Sequence, residues 1–144
     1  MVIAIDFDGT CVTHEYPEIG KDIGSAPVLR ALVNNGHKLV LHTMRSGNTL
    51  AEAQAWFTKN NIELYGVNKN PTQENWTHSP KAFAHLYIDD AGFGIPLVRT
   101  MDRPYVDWRY VIISLAEKGC LMDDEVGPLI TNVINAQNDL TVFQ

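Results

Sequence analysis

The sequence has few cysteines, no long apolar run and no excess of positive charge. Its two cysteines, Cys11 and Cys120, form neither a metal-binding spacing nor a disulfide framework. That scarcity favours a reducing compartment, so we expect a cytoplasmic protein. No stretch is long enough to span a bilayer, and the first apolar run stops at Asp6. The sequence therefore predicts neither a membrane segment nor a secretory leader.

Acidic residues outnumber basic ones, with 17 Asp and Glu against 11 Lys and Arg and a formal net charge of −6. This balance disfavours a nucleic-acid partner, although it leaves a local basic patch open. The chain shows no internal repeat and no low-complexity segment. With 144 residues it is long enough to bury a core, and we expect one domain over 1–144.

Short apolar runs alternate with segments of helical periodicity along the chain. This alternation predicts an α/β fold: a Rossmann-like, open and mainly parallel sheet flanked by helices in three α/β/α layers. A Ser25 N-cap is expected before the first helix, and the C-terminal helices within 103–144 should pack on the core. Predicted strands are 2–5, 38–42, 63–67 and 85–88, with a fifth starting near Leu97; predicted helices are 26–35, 48–60, 107–118 and 123–136.

Acidic and hydroxyl side chains follow three of the predicted strands. Asp6 and Asp8 end the first strand, Thr43 ends the second, and Asp89 and Asp90 end the fourth. Right-handed crossovers bring these strand ends to one edge of a parallel sheet, where ligands bind in open α/β folds. Carboxylates placed together repel one another unless a cation or a proton lies between them. Oxygen ligands of this kind suit Mg²⁺.

Two basic residues complete the predicted site. Lys81 precedes the fourth strand, and Arg45 follows Thr43 by two residues. Lysine and threonine can hold a phosphoryl group by charge and hydrogen bonding. Arg45 could grip a phosphate or a carboxylate through two parallel hydrogen bonds. We therefore predict Thr43, Lys81 and Arg45 as substrate- or phosphate-binding residues.

These segments, taken in order, resemble the four motifs of the haloacid dehalogenase superfamily. The matching parts are Asp6-Phe-Asp8-Gly-Thr10, the strand ending in Thr43, Lys81, and Ile-Asp89-Asp90, all within residues 1–100. The resemblance implies a phosphatase in which Asp6 attacks phosphorus and forms an aspartyl phosphate. Asp8 would protonate the leaving oxygen and then activate water.

The resemblance also implies a cofactor and its ligands. Mg²⁺ would be held by Asp6, the backbone carbonyl of Asp8, and Asp89 or Asp90. One of the last two acids would then orient a ligand rather than bind the metal directly. Thr43 and Lys81 would bind the phosphoryl oxygens, which carry the charge of the transition state.

Many members of that superfamily carry an inserted cap domain over the substrate, and the spacing here leaves no room for one. Only 32 residues separate Thr10 from Thr43, and 37 separate Thr43 from Lys81. We therefore predict a capless, open site. Such a site suits a large substrate, or a lid from a neighbouring subunit of a homo-oligomer or from a loop. The candidate loops are 13–16 and 68–76, the second of which carries Trp76.

The leading functional prediction is a Mg²⁺-dependent phosphomonoester hydrolase acting on a small phosphorylated molecule or a macromolecular end. A polynucleotide 3′-phosphatase is an alternative, which the acidic charge disfavours. A phosphoacceptor domain similar to a response-regulator receiver fits less well, because receivers place their acid pair and their phosphorylated Asp on different strands. A binding module without catalysis is the third alternative.

Overall fold

The computed structural model describes residues 1–100 and 102–142. Its main sheet has four parallel strands: β1 (Val2–Ile5), β2 (Lys38–Leu41), β3 (Gly66–Val67) and β4 (Leu86–Ile88). Their order across the sheet is β3-β2-β1-β4. Helices flank this sheet, so the predicted Rossmann-like three-layer α/β/α fold is confirmed.

The strand order places a reversal of direction beside β1. The chain moves from β1 to β2 and β3 on one side, and then returns to form β4 on the other side. At such a reversal the loops after the two neighbouring strands diverge and leave a crevice. Asp6 and Asp8 follow β1, and Asp89 and Asp90 follow β4, so both acid pairs border this crevice.

In the part of the chain that the structure describes, four α-helices pack around the sheet: α1 (Ser25–Asn34), α2 (Gly47–Lys59), α3 (Trp108–Glu117) and α4 (Asp123–Val142). Apolar side chains of α3 and α4 are part of the hydrophobic core, as the sequence predicts for the C-terminal segment. The helix α4 extends beyond the predicted end at residue 136. The last two residues of the segment, 143–144, lie outside the described residues.

The predicted N-cap role of Ser25 is wrong. The N-cap residue of α1 is Gly24, whose φ of 86° lies in the left-handed region that glycine tolerates. Ser25 is buried, and its hydroxyl donates a hydrogen bond to the Cys11 carbonyl at 2.5 Å. The serine therefore ties α1 to the loop after β1 instead of satisfying the helix's own N–H groups.

A second, two-stranded antiparallel sheet pairs β5 (Leu97–Val98) with β6 (Tyr105–Val106). The fifth strand predicted near Leu97 is present, but it joins this hairpin and not the main sheet. The sequence pattern does not predict the strand β6. The hairpin contacts the loop after β1 through a hydrogen bond of 2.9 Å from Val106 N–H to the Gly9 carbonyl.

The described ranges hold no separately folded cap over the sheet edge, which agrees with the predicted capless architecture. Within those same ranges, no helix combines the length and the apolar character needed to cross a bilayer.

Candidate active site

Three carboxylates converge at the ends of β1 and β4. The Asp6 N–H donates to the Ile88 carbonyl at 3.0 Å, which continues the pairing of the two strands past their ends. This brings Asp6 level with Asp89 and Asp90. One carboxylate oxygen from each of the three acids lies within 4.8 Å of the others. The structure thus brings together three of the four predicted metal ligands.

Thr10 holds this carboxylate cluster in place. Its hydroxyl donates to Asp6 Oδ2 at 3.0 Å and accepts the backbone N–H of Asp90 at the same distance. Its carbonyl accepts the indole N–H of Trp108 at 2.8 Å, and both residues are fully buried. Thr10 belongs to the first motif, but the motif alone predicts no role for it. Its role depends on a contact with a residue 80 positions away, which the sequence does not reveal.

Burial and crowding disfavour the ionised form of the cluster. Burial raises the pKa of Asp6 to about 8, and a hydrogen bond with Asp90 and the negative charge of Asp89 add to the rise. Burial also raises the pKa of Asp89. Across residues 1–100 and 102–142, no ion pair joins Asp6, Asp89 or Asp90 to a basic side chain. The cluster therefore favours the uptake of a proton or a cation.

Gly9 allows Asp90 to approach the loop after β1. Its φ of +78° lies in the left-handed region, and a Cβ at this position would stand 2.5 Å from Asp90 Oδ2. A side chain here would push Asp90 away from Asp6. The glycine of the first motif thus has a steric role as well as a conformational one.

Asp8 lies apart from the cluster because Arg45 binds its carboxylate. Arg45 Nε and Nη2 donate to the two carboxylate oxygens of Asp8, each at 2.7 Å. The pair is shielded from solvent, with side-chain exposures of 1% for Arg45 and 12% for Asp8. Hydrogen bonding to Asp8 raises the pKa of Arg45 above its ordinary value. One acid of the first motif is therefore neutralised within the protein.

The remaining donors of Arg45 bind backbone carbonyls. Nη1 donates to the carbonyls of Pro17 and Thr49, both at 3.2 Å, and Nη2 donates to the Glu18 carbonyl at 2.9 Å. The donors of Arg45 are thus already in use within the protein, and its predicted role in binding phosphate stays a prediction. The bidentate grip expected of Arg45 is present, but its partner is the protein's own Asp8.

Two aromatic rings cover the Arg45 guanidinium. Its central carbon lies 5.1 Å from the ring centroids of both Phe7 and Tyr16. Phe7 is buried, whereas Tyr16 is 55% exposed and faces the cavity described below. Arg45 thus links the loop of residues 13–20 to Asp8 at the site.

Thr43 lies at the predicted position, at the end of β2. Its backbone N–H donates to Asn68 Oδ1 at 2.8 Å, and its hydroxyl oxygen accepts the Arg45 N–H at 3.1 Å. The hydroxyl hydrogen of Thr43 has no acceptor among the described residues, so it can point to a ligand. The loop that starts at Asn68, one of the two candidate lids, contributes by fixing the Thr43 backbone.

Lys81 does not join the other predicted residues. Its Nζ lies 5.5 Å from the ring centroid of Tyr87, and its backbone carbonyl accepts from Gln73 Nε2. The buried amide of Gln73 also accepts the Phe83 N–H, and these bonds fix the course of the chain before β4. Because this segment directs Lys81 to Tyr87, its predicted place at the phosphate site is not found.

Trp76 in the same loop is largely exposed and contacts Phe83 edge to face.

One cavity of about 570 Å³ unites the site. It includes every predicted site residue except Lys81. It also includes His14, Tyr16 and Met44 beside the acids, and Arg103 from the turn between β5 and β6. None of these last four was predicted as a site residue. The lining residues are Asp6, Asp8, His14, Tyr16, Thr43, Met44, Arg45, Asp89, Asp90, Ala91 and Arg103.

The donor set fits the predicted Mg²⁺. Hard divalent cations prefer carboxylate oxygens, and the three clustered acids offer these without a competing cation among the described residues. Asp6, Asp89 and Asp90 are thus the residues that would hold the ion by their side chains. The carboxylate of Asp8, committed to Arg45, is outside this set. Its expected contribution through the backbone carbonyl stays a prediction.

Comparisons with known proteins give one informative similarity. No protein-family model and no curated protein matches the chain. Among solved structures, a conserved protein from Bacteroides thetaiotaomicron is similar, with 36% sequence identity and a TM-score of 0.68. The similarity covers 83% of this chain and 91% of that protein. The similarity therefore extends over most of this chain.

Proposed function

This chain belongs to the same family as the conserved Bacteroides thetaiotaomicron protein, and we propose that it hydrolyses phosphate monoesters with Mg²⁺ through a phosphoryl group carried on Asp6. The observation that carries the proposal is the different environment of the two acids that end β1. Asp6 lies in a carboxylate cluster without a basic partner among the described residues, whereas Asp8 is held by Arg45. Two carboxyl groups with different surroundings can perform different steps of one reaction.

Asp6 is the proposed nucleophile. One carboxylate oxygen attacks phosphorus, the bond from phosphorus to the leaving oxygen breaks, and the phosphoryl group is transferred to Asp6. Thr10 supports this role because its hydroxyl donates to Asp6 Oδ2 and so restricts the rotation of the carboxylate. Bound Mg²⁺ would supply positive charge that offsets the repulsion between the carboxylate and the phosphate.

Asp8 is the proposed proton carrier. Its carboxylate takes a proton from the water that hydrolyses the phosphorylated Asp6 and gives that proton to the leaving oxygen of the next substrate, so its protonation state is restored in each cycle. The two hydrogen bonds from Arg45 fix the carboxylate of Asp8 in one orientation, and each of its oxygens keeps a further lone pair for the proton. Thr43 donates its hydroxyl hydrogen to a phosphoryl oxygen. These assignments follow the roles implied by the haloacid dehalogenase resemblance.

The superfamily assignment, the phosphorylated substrate and the cytoplasmic location remain parts of this proposal. Both cysteines are free and buried, which supports a reducing environment. The cavity is open at the sheet edge and lacks a cap within the described ranges, which supports a substrate that covers the site itself.

A direct test is the hydrolysis of an aryl phosphate in the presence of Mg²⁺, in the presence of EDTA, and by the Asp6→Asn variant. We expect turnover that EDTA abolishes and that Asp6→Asn lacks. Glu63→Gln is the matched control, because it also removes one negative charge but affects an exposed residue before β3. It should retain wild-type activity.

A second measurement does not depend on an aryl phosphate being accepted as a substrate. Beryllium fluoride mimics a phosphoryl group on a carboxylate, and we expect it to bind with Mg²⁺ to the wild type but not to Asp6→Asn. Absence of both turnover and this binding would contradict the proposed hydrolase and favour a binding module.

A further inference from the structure

The cavity holds two arginines with opposite environments. The guanidinium of Arg45 is buried and uses its donors on Asp8 and on three backbone carbonyls. Arg103 is exposed, lines the same cavity, and forms no hydrogen bond or ion pair with another residue that the structure describes. Of these two arginines, Arg103 is therefore the one with donors available to a ligand.

The hairpin that carries Arg103 is anchored at its base. The residue lies on the turn between β5 and β6, and three hydrogen bonds anchor the base of this hairpin. Val106 N–H donates to the Gly9 carbonyl at 2.9 Å, and Asp107 N–H donates to the Pro96 carbonyl at 2.9 Å. Trp108 Nε1 donates to the Thr10 carbonyl at 2.8 Å. The same loop that carries Asp6 and Asp8 thus supports the hairpin.

We propose that Arg103 is the cation that binds the phosphoryl oxygens of the substrate, in the place that the sequence assigned to Lys81. This inference rests on the proposed function. It makes the β5–β6 hairpin the substrate-recognition element of a site without a cap domain. The substrate class that it implies is a phosphate monoester whose dianionic phosphoryl group is bound by an arginine fork.

The charges in the cavity support this assignment. Four carboxylates line it, and Arg45 together with one divalent cation does not outweigh them and an incoming phosphate dianion. A further cation would offset part of this negative field and so favour the binding of phosphate. Lys81 does not supply it, because it lies over Tyr87 and outside the cavity lining of the described residues. Arg103 is already at the cavity.

The hairpin offers a matched control. Arg99 lies at the start of the same turn, is exposed, and is not among the described residues that line the cavity. Arg99→Ala and Arg103→Ala remove the same charge from the same element. A long-range electrostatic effect would weaken phosphate binding in both variants, whereas a direct contact would weaken it only in Arg103→Ala.

The test is the binding of inorganic phosphate to the Mg²⁺-loaded protein, measured by calorimetry, together with the KM for an aryl phosphate. We expect Arg103→Ala to raise the Kd of phosphate by roughly tenfold or more, the usual effect of losing a charge-assisted hydrogen bond. The KM should rise in parallel. Arg103→Lys should recover part of the affinity, and Arg99→Ala should change it by no more than about twofold.

The outcomes separate this inference from the proposed function. If the wild type binds phosphate and hydrolyses the ester while Arg103→Ala behaves like Arg99→Ala, the role of Arg103 is wrong and the hydrolase stands. If the wild type neither binds phosphate nor turns over any ester, both proposals fail together. Loss of phosphate affinity in Arg103→Ala with unchanged Mg²⁺ affinity would support the assignment.

Discussion

The two halves of the acidic site handle negative charge in different ways. Asp8 is paired with the buried Arg45, so this half is neutral without any ligand. Asp6, Asp89 and Asp90 lie together without an ion pair to any basic residue in the described ranges. The negative charge of Asp8 is thus compensated within the protein. The charge of the Asp6, Asp89 and Asp90 cluster can be compensated only by a bound proton or cation. This difference is what we expect if Asp6, Asp89 and Asp90 bind a metal ion and Asp8 moves protons, as proposed.

Removing the ion pair between Arg45 and Asp8 should have the largest effect on the stability of the protein. Arg45→Met leaves Asp8 largely buried without its partner, and we expect a loss of about 3–5 kcal/mol in the free energy of unfolding. Lys21→Met is the control, because it breaks the exposed pair with Glu15. It should cost about 1 kcal/mol or less. Urea unfolding of both variants measures the contrast, and equal costs would contradict the distinct role of Arg45.

Binding of Mg²⁺ to the carboxylate cluster should stabilise the protein. If Mg²⁺ binds only the folded state, a concentration 100 times its Kd adds about 2.7 kcal/mol to the free energy of unfolding. Thermal unfolding with and without Mg²⁺ measures this gain. We expect Asp90→Asn to lose most of it and Glu63→Gln to keep it. A similar gain in all three proteins would place the metal elsewhere.

The carboxylate cluster should also make the stability of the metal-free protein depend on pH. The pKa of Asp6 is raised from 3.8 to about 8 in the folded protein, so the folded state holds this proton more tightly than the unfolded state. The resulting stability is complete below about pH 4 and is lost as the pH rises towards 8. We expect a slope of about 1 kcal/mol per pH unit or less over this range.

Denaturant unfolding in EDTA across this pH range measures the slope. Asp6→Asn should flatten it, and saturating Mg²⁺ should reduce it because the ion replaces the proton. Metal-free stability that rises between pH 5 and 8, in wild type and Asp6→Asn alike, would be incompatible with this account.

The smallest expected effect distinguishes backbone strain from crowding at the cluster. Gly9 and Gly119 have nearly equal φ values of +78° and +75°, but only Gly9 has Asp90 in the path of an added Cβ. Alanine at either position should cost about 1–2 kcal/mol through backbone strain. Gly9→Ala should in addition weaken Mg²⁺ binding, as measured by calorimetry, while Gly119→Ala should not. Equal Mg²⁺ affinities would show that Gly9 has no steric role at the cluster.

Much of the site could be predicted because its residues follow strands. The apolar run before Asp6 and the Ile88-Asp89-Asp90 segment indicate strand ends, and a parallel sheet aligns such ends at one edge. Thr43 is placed by the same argument. For these residues, local sequence patterns and a general rule of topology are sufficient.

The rest depends on contacts between residues distant in sequence. Arg45 binds an acid 37 positions away. The position of Arg103 depends on the pairing of β5 with β6, which the sequence pattern does not indicate. Lys81 matched its motif by order and spacing, but the buried amide of Gln73 directs its segment along another course. Hydrogen bonds of this kind, between side chains and distant parts of the chain, determine which charged residues lie at the site, and the sequence pattern does not show them.

The most direct test of the central claim is to trap the phosphoryl group on the protein. The variant Asp8→Asn should transfer phosphate from a reactive aryl phosphate to Asp6 and then hydrolyse it slowly, because the group that activates water is missing. Acid quenching followed by peptide mass spectrometry should locate the phosphoryl group on the peptide that contains Asp6, and the double variant with Asp6→Asn should lack it. If Asp8→Asn turns over the ester in the presence of Mg²⁺ while no phosphoryl group is found on that peptide, the covalent role of Asp6 would be contradicted.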